Sequence, residues 1–311
     1  MNRPRPIFPG QSFLSVVLSI CIPLYNQQPE PQVRELLQQA EELELEVEIR
    51  LYDDGSQEEQ KAPNRPLGNL PQVVYHELPE NVGRSAIRNR LAADARYPTL
   101  LFLDGDVLPL DAHFLARYAQ HLGQRAVVCG GLLYPEKPQQ QNLLLHWRVG
   151  SQREVQPAPA RMQQPYNRFL TCNFLCPREV FMLQRFDERL VGYGHEDTKF
   201  GWLLQHHQIP IRHLENPVIH LGLSTTEEFL DKTRQAVENL RRLKQSPELG
   251  GEWLNEIRLA RMGQALERRA WAAQTLKFLA PKLIPRLERW LQQPRVPLRV
   301  FDLYKLLLLL R

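Results

Sequence analysis

The sequence predicts an α/β protein with a mixed, mostly parallel sheet flanked by helices and a helical C-terminal extension. Three observations predict it. Apolar strand-like runs alternate with segments of helical period through roughly the first 130 residues, the pattern of right-handed crossovers between parallel strands. Turns rich in Asp and Gly follow two of those runs, and in open parallel sheets ligands sit beyond the carboxyl ends of the strands. From Thr225 the period is helical to the end, broken near Gly250 and near Pro294. The expected division is an α/β domain over residues 1–223 and a helical extension over residues 224–311.

Residues 14–24 form an apolar run that reads as a buried strand. No small-residue cleavage site ends it, and turn residues and a helical segment follow, so it is not the core of a signal peptide. "PQVRELLQQAEELE" carries apolar residues at helical spacing, "VEIRLYDDGS" is a strand ending in a turn, and "VVYHEL" is a further strand. In "NVGRSAIRNRLAADA", Asn81 is the expected N-cap of a helix. "TLLFLDGDVLP" is a fourth strand, "DAHFLARYAQHL" a helix capped by Asp111, and "AVVCGGLLY" a fifth strand. Residues 135–168, rich in Pro and Gln, read as a long surface insertion. "FLTCNFLCPREVF" returns to a strand and short helix, "VGYGHEDTKFGWLLQHH" is a glycine-punctuated loop entering a helix, and "IPIRHLENPVIHL" is a pair of short strands.

Composition narrows the function classes. The 311 residues are 43% apolar and 24% charged, enough for a large core and against wholesale disorder. No apolar stretch of ~18 residues occurs, so no spanning helix is expected. Cys21, Cys129, Cys172 and Cys176 lie in or beside apolar runs, and no second pair follows the last two. Neither a zinc site nor a disulfide framework is expected, and a reducing cytosol is the expected compartment. Residues 224–311 hold 17 Lys and Arg against 10 Asp and Glu, a net +7, whereas the remainder holds 22 against 25, a net −3. The basic extension also bears Trp253, Trp271, Phe278, Trp290, Leu291, Phe301 and Tyr304. It reads equally as a membrane-surface element, which would place the protein peripherally on the inner face of the cell membrane, or as helices packed on the α/β domain or a partner subunit. Nucleic acid is not an expected partner, because the charge excess is modest and the aromatics are not interleaved for stacking.

Five short motifs carry chemistry. In "LFLDGDV", Asp104 and Asp106 stand one residue apart at a strand end, where Gly105 lets the backbone come close; such carboxylates can hold Mg²⁺ or Mn²⁺ or form a solvated turn. In "LYDDGS", the acidic pair ending in Asp54 can receive a base or ribose or form an ordinary Asp-Gly turn. In "NVGRSAIRNR", Arg84 and Arg88 share one helix face, either a solvated basic face or a diphosphate site near an N-terminus that already favours one. In "GYGHED", glycines flank Tyr193 and then Glu196 and Asp197 open a helix, where the carboxylates can serve as a general base or simply cap the helix. His220 in "PVIHL" is either a core histidine or a ligand.

These motifs occur together and in order, and the set resembles the inverting glycosyltransferases of family 2, with the GT-A fold. "SICIPLYN", "YDDGS", "NVGRSAIRN" and "LFLDGDV" are similar to that family's successive signatures. "GYGHED" followed by "VIH" looks like the subset related to galactosyl- and N-acetylgalactosaminyl-transferases. The resemblance covers roughly residues 14–223 and implies roles by position. Pro23, Tyr25, Asn26, Asp54, Arg84, Arg88, Asp104 and Gly105 would line the nucleotide-sugar site. Asp106 and His220 would ligate Mn²⁺ or Mg²⁺, with Asp104 nearby. Asp197 would be the catalytic base beside Glu196, and Asn173, Tyr193, Gly194 and His195 would face the acceptor or donor sugar. The implied partners are a nucleoside-diphosphate sugar, a UDP-sugar first, and a glycan or lipid-linked acceptor hydroxyl. Two readings compete. A phosphatase of the haloacid dehalogenase type also places Asp-x-Asp after an apolar strand, but as the opening strand of its domain. A non-catalytic membrane-associated protein that binds sugar nucleotides would have no need of Asp106, Asp197 and His220 together.

Overall fold

A computed structural model describes residues 17–311; residues 14–16 of the first expected strand lie outside the described residues. The elements run in the expected order: β1 (Val17–Leu24), α1 (Glu30–Glu42), β2 (Glu46–Asp53), α2 (Glu58–Lys61), β3 (Val73–Glu77), α3 (Arg84–Asp94), β4 (Thr99–Leu103), β5 (Val107–Pro109), α4 (Phe114–Ala119), β6 (Val127–Cys129) and β7 (Leu132–Leu133). There follow α5 (Leu144–Val149), α6 (Ala158–Arg161), β8 (Asn173–Pro177), α7 (Arg178–Gln184), α8 (Glu196–His206), β9 (Ile211–His213) and β10 (Val218–His220). Four helices close the chain: α9 (Thr226–Gln245), α10 (Arg258–Glu267), α11 (Ala270–Leu291) and α12 (Leu298–Leu310).

The main sheet has seven strands in the order β3-β2-β1-β4-β8-β6-β9. β3, β2, β1 and β4 pair in parallel; β8 is antiparallel to both β4 and β6, and β9 is parallel to β6. β8 alone therefore runs against the rest. β1 and β4 are buried on both faces, which is why they read as continuous apolar runs. Their residues alternate between two cores. Leu18, Ile20, Ile22, Leu101 and Leu103 pack with Val33 and Leu36 of α1 and Phe114 and Tyr118 of α4. Cys21, Leu100 and Phe102 pack with Ile87 and Leu91 of α3, Phe181 of α7 and Phe200 of α8. All four cysteines are buried free thiols.

Two expected strands are each divided. "TLLFLDGDVLP" ends in the main sheet at Leu103, turns through Asp104, Gly105 and Asp106, and resumes as β5 in a second sheet of order β5-β10-β7. "AVVCGGLLY" likewise leaves the main sheet after Cys129 and enters the second as β7. Buried Arg161 fastens that crossing by donating to the carbonyls of Cys129, Gly130 and Leu214 and facing Nδ1 of His213 at 2.9 Å. Burial pulls the His213 imidazole down to about 4, so it faces the guanidinium as a neutral acceptor.

Three local expectations change. Gly83, not Asn81, holds the N-cap position of α3. The Asp54 carboxylate takes the loop amides instead, from Val82 at 2.7 Å and Gly83 at 3.1 Å. His113 holds the N-cap position of α4, and Asp111 stands two residues earlier, accepting the His113 amide at 2.9 Å. Residues 135–168 are not a surface insertion throughout: Leu145 and Val149 of α5 join the core formed by Leu230 of α9, Ile284 and Leu287 of α11 and Tyr304 of α12. The same core ties the C-terminal helices to the α/β body. Thr225 opens α9 with a capping box, its side chain and Glu228 each taking the other's amide.

Candidate functional site

The carboxyl ends of β1, β2 and β4 lie on one edge of the main sheet, and the second sheet stands over that edge. β5 and β10 pair antiparallel, with His220 opposite Val107, and the Leu221 amide donates to the Asp106 carbonyl at 2.8 Å. Pairing thus brings His220 Nε2 to 3.5 Å from Asp106 Oδ2. Gly222 follows at a point where a β-carbon would collide with the Asp106 carboxylate, so the chain can lie directly over that side chain only with glycine there. Burial pushes the Asp106 carboxyl above its usual range, aided by the nearby Asp104 carboxylate and opposed by His220.

Asp104 is held differently. Arg88 donates to its Oδ1 at 2.5 Å. The Arg88 guanidinium is buried and also donates to the Arg84 carbonyl at 3.2 Å. Arg88 therefore braces Asp104 from the protein side. At Gly105 a β-carbon would meet Leu24 and Gln27 side chains at 2.5 Å, so the close approach it permits is of the turn onto β1. Pro23 is half-buried on that strand end and Tyr25 is exposed. Asn26 has a left-handed backbone and uses its amide and side-chain oxygen to join the Ser56 hydroxyl and the Gln57 amide. It clips the β1 loop to the β2 loop. Asp54, 4% exposed with both oxygens on loop amides, is likewise a clip before it is a contact for a base.

On the facing side, Arg84 leaves the first turn of α3 and meets the "GYGHED" loop. Its guanidinium lies 4.1 Å from the Tyr193 ring centre and 3.7 Å from Glu196 Oε1. Asp197 stands beside Glu196 in the first turn of α8, its Oδ1 accepting the Thr198 amide at 2.6 Å. Burial, then the Glu196 charge, push the Asp197 carboxyl from its ordinary 3.8 up to about 6. A carboxylate poised there can accept a proton near neutral pH.

Two residues expected at the sugar have their polar atoms engaged within the protein. Asn173 is fully buried, accepts the Tyr118 hydroxyl at 2.6 Å, and donates to the carbonyls of Gly131 and Asn216 at 2.9 Å each. Its amide is committed to holding the two sheets together. His195 has a left-handed backbone and its Nε2 lies 2.9 Å from the Ala236 carbonyl of α9, so it anchors the loop. Tyr193 and Gly194 remain at the loop surface, Gly194 against Ala236.

The site also contains residues that the sequence reading missed. The rings of Tyr134 and His146 lie 5.3 and 5.7 Å from that of His220. His146 accepts the Ser224 amide at Nδ1, and burial, with the Lys232 ammonium nearby, pulls it down to about 4. Lys232 of α9 donates to the Ser224 hydroxyl at 2.7 Å. Burial and the like charge of Arg84 lower its pKa, while Asp106 and Glu228 oppose that shift. Both His146 and Lys232 come from segments outside the motifs, and no local signal in the sequence singles them out.

A divalent cation fits this donor set. Asp106 and His220 offer an oxygen and a nitrogen on one point, Asp104 keeps an oxygen not bound by Arg88, and buried Nδ1 of His220 has no hydrogen-bond partner. Among the described residues no group of three or more His, Cys, Asp or Glu side chains closes round one point. The arrangement leaves positions for water and phosphate oxygens, as Mg²⁺ and Mn²⁺ prefer.

Residues 19–190, more than half of the chain, match glycosyl transferase family 2. The chain belongs to that family. Two curated relatives, both validoxylamine A glucosyltransferases of Streptomyces hygroscopicus, are similar to it. One, from subsp. jinggangensis (strain 5008), is 29% identical over 65% of this chain and 54% of its own length. The other, from subsp. limoneus, is 28% identical over 68% of this chain and 52% of its own length. The chain thus spans about half the length of the curated relatives it matches. Among solved structures, the mannosyltransferase PcManGT of Pyrobaculum calidifontis, in complex with GDP-Man and Mn²⁺, superposes over 99% of this chain and 89% of its own with a TM-score of 0.57 at 13% identity. TarS of S. aureus superposes over 92% of this chain and 82% of its own with a TM-score of 0.51 at 18% identity. Both have the GT-A fold expected from the motif order. The phosphatase reading is set aside, since the Asp-x-Asp strand is the fourth in the chain and pairs internally in a family-2 sheet.

Proposed function

We propose that this family-2 protein is an inverting, metal-dependent glycosyltransferase that moves a sugar from a nucleoside-diphosphate sugar to an acceptor hydroxyl, with Asp197 as general base. The observation that carries the reading is the meeting of Asp106 and His220 at 3.5 Å, although 114 positions separate them, beside Asp104 and the first turn of α3. Mn²⁺ or Mg²⁺ held by Asp106 and His220, with Asp104 nearby, would supply positive charge to the diphosphate. Arg84 at the N-terminus of α3 and Lys232 would stabilise the charge that grows on the leaving diphosphate. Asp197 would take the acceptor proton as the hydroxyl attacks the anomeric carbon from the face opposite the nucleotide. That single displacement inverts the centre and needs no covalent enzyme intermediate. General-base assistance of this kind is worth about 10²–10⁴ in rate.

A UDP-sugar is the first donor to test, by the motif resemblance. The glucosyl transfer named for the two curated relatives, and the GDP-Man held by a mannosyltransferase of the same fold, support a hexosyl donor in general. The "GYGHED" segment followed by His220 supports the galactosyl- and N-acetylgalactosaminyl-transferase-like subset. Tyr193 would stack on the acceptor or donor sugar, with Gly194 giving it room. We assign the transfer chemistry to residues 1–223 together with α9, because Lys232 and the Ala236 carbonyl reach the site from that helix. Incubation with a panel of UDP- and GDP-sugars and Mn²⁺ tests the proposal. Consumption of one donor is expected, lost on chelation and in Asp106→Ala and Asp197→Asn. Undiminished turnover in both variants sinks the mechanism.

A further inference from the structure

We infer that the outward face of α11 docks on an anionic lipid surface. The inference does not rest on the transferase reading. One side of α11 is core: Ala280, Ile284, Leu287 and Leu291 pack with Phe301, Tyr304 and Leu307 of α12. The opposite side carries Trp271, Phe278, Lys282 and Arg289, spaced by seven, four and seven residues, which lines them up along the helix. Trp271 is 76% exposed and Phe278 77%. Leu279 and Trp290, the latter 45% exposed, flank the line together with Arg286.

A solvated helix face carries charges of both signs and hides its large aromatics. This one does neither. Glu288 is the only carboxylate on α11, and it is turned away to Arg234 and the Tyr304 hydroxyl. Among the described residues no carboxylate pairs with Arg268, Arg269, Lys277, Lys282, Arg286 or Arg289. Aromatic rings set singly between long cationic side chains match the boundary between headgroups and acyl chains. The rings enter the boundary and the cations reach phosphate. From Trp271 to Trp290 the line is about 28 Å long, a helix lying in the surface. It does not cross the bilayer, and no helix of the described residues is long and apolar enough to do so. A second copy of the chain fits this face poorly, since a two-fold contact sets a patch against itself and would oppose like charges.

The test uses the full chain, because a cut at Leu223 would also remove Lys232 from the site. Co-sedimentation with phosphatidylcholine vesicles containing phosphatidylglycerol should show binding that pure phosphatidylcholine does not, weakened by salt. Trp271→Ala with Phe278→Ala should lower the partition at least ~10-fold, because both rings insert. Lys282→Gln with Arg286→Gln and Arg289→Gln should lower it similarly and flatten the salt dependence. Both variants change exposed side chains, so unfolding temperature and turnover of a soluble sugar nucleotide should stay as in the wild type. Failure of the wild type to bind anionic vesicles, or equal binding by both variants, overturns the inference. So does a dimer in analytical ultracentrifugation that either variant dissolves.

Discussion

Replacing Asp197 by Asn should stabilise the protein while removing its catalysis. In the folded chain, burial and the neighbouring Glu196 push this carboxyl from 3.8 up to about 6. The ionised form is therefore disfavoured by folding, at a cost of about 3 kcal/mol once the group is fully charged. Well below the unfolded value of 3.8 the group is protonated in both states and the cost is absent; it grows as pH rises from there to ~6 and is constant above. Asn keeps an oxygen for the Thr198 amide and carries no charge. Thermal unfolding of the ligand-free protein should thus show Tm values that converge as pH falls toward ~3. At pH 7 the variant should melt higher, by on the order of 5 °C. In the same pH series, wild-type kcat/KM should fall about tenfold per pH unit below ~6, and Asp197→Asn should lose about 10²–10⁴ above ~6, a deficit that shrinks as the wild-type base is protonated at lower pH. Glu196→Gln should move the acid limb downward, because it removes one of the charges that raises Asp197. A variant that melts at or below the wild type at pH 7, or a Tm difference that does not change with pH, would refute the claim that Asp197 is a strained base.

Four further outcomes follow from the same geometry. Asn173→Ala should cost about 3–5 kcal/mol in urea unfolding, since it leaves the Tyr118 hydroxyl and two carbonyls without partners, yet should leave donor KM within about twofold. A KM rise without lost stability would return Asn173 to the sugar site. Gly222→Ala places a methyl on the Asp106 carboxylate and should lower kcat/KM at least ~10-fold; unchanged turnover would detach that loop from the chemistry. Asp106→Ala and His220→Ala should each raise the Mn²⁺ concentration for half-activation by ~10-fold or more, and an effect confined to one of them would break the shared site. Lys232→Ala should raise donor KM, read by varying the sugar nucleotide, with kcat also reduced if Lys232 stabilises the leaving diphosphate; no change in either would remove it from the diphosphate pocket.

Much of the fold was legible because its signals are local. The runs at β1 and β4 are continuous because both faces are buried, and the helices between them keep a 3.6-residue period. The divided strands were not legible. In "LFLDGDVLP" the acidic turn marks a strand end, but nothing marks that the equally apolar residues beyond it belong to a second sheet. Residues 135–168 misled for a related reason. Their prolines break long helices but leave room for α5, whose apolar side finds partners only on α9, α11 and α12. The candidate site was legible as motifs and not as roles. Asn173, His195 and Arg88 have side chains able to touch a sugar nucleotide. Only the structure shows their polar atoms engaged within the protein.

The sequence by itself determined the alternation of strands and helices, the placing of acidic turns at strand ends, and the pair Glu196–Asp197 at the start of a helix, because each depends on residues a few positions apart. Tertiary structure decided what those turns face. Asp106 meets His220 because β5 pairs with β10, and Lys232 reaches the same pocket because α9 packs beside the "GYGHED" loop. It also decided that Asp197 is held above its ordinary range, since desolvation depends on everything packed around a group. The chemistry of each side chain is written in its type; its charge, its partner and its use come from contacts between residues far apart in the chain.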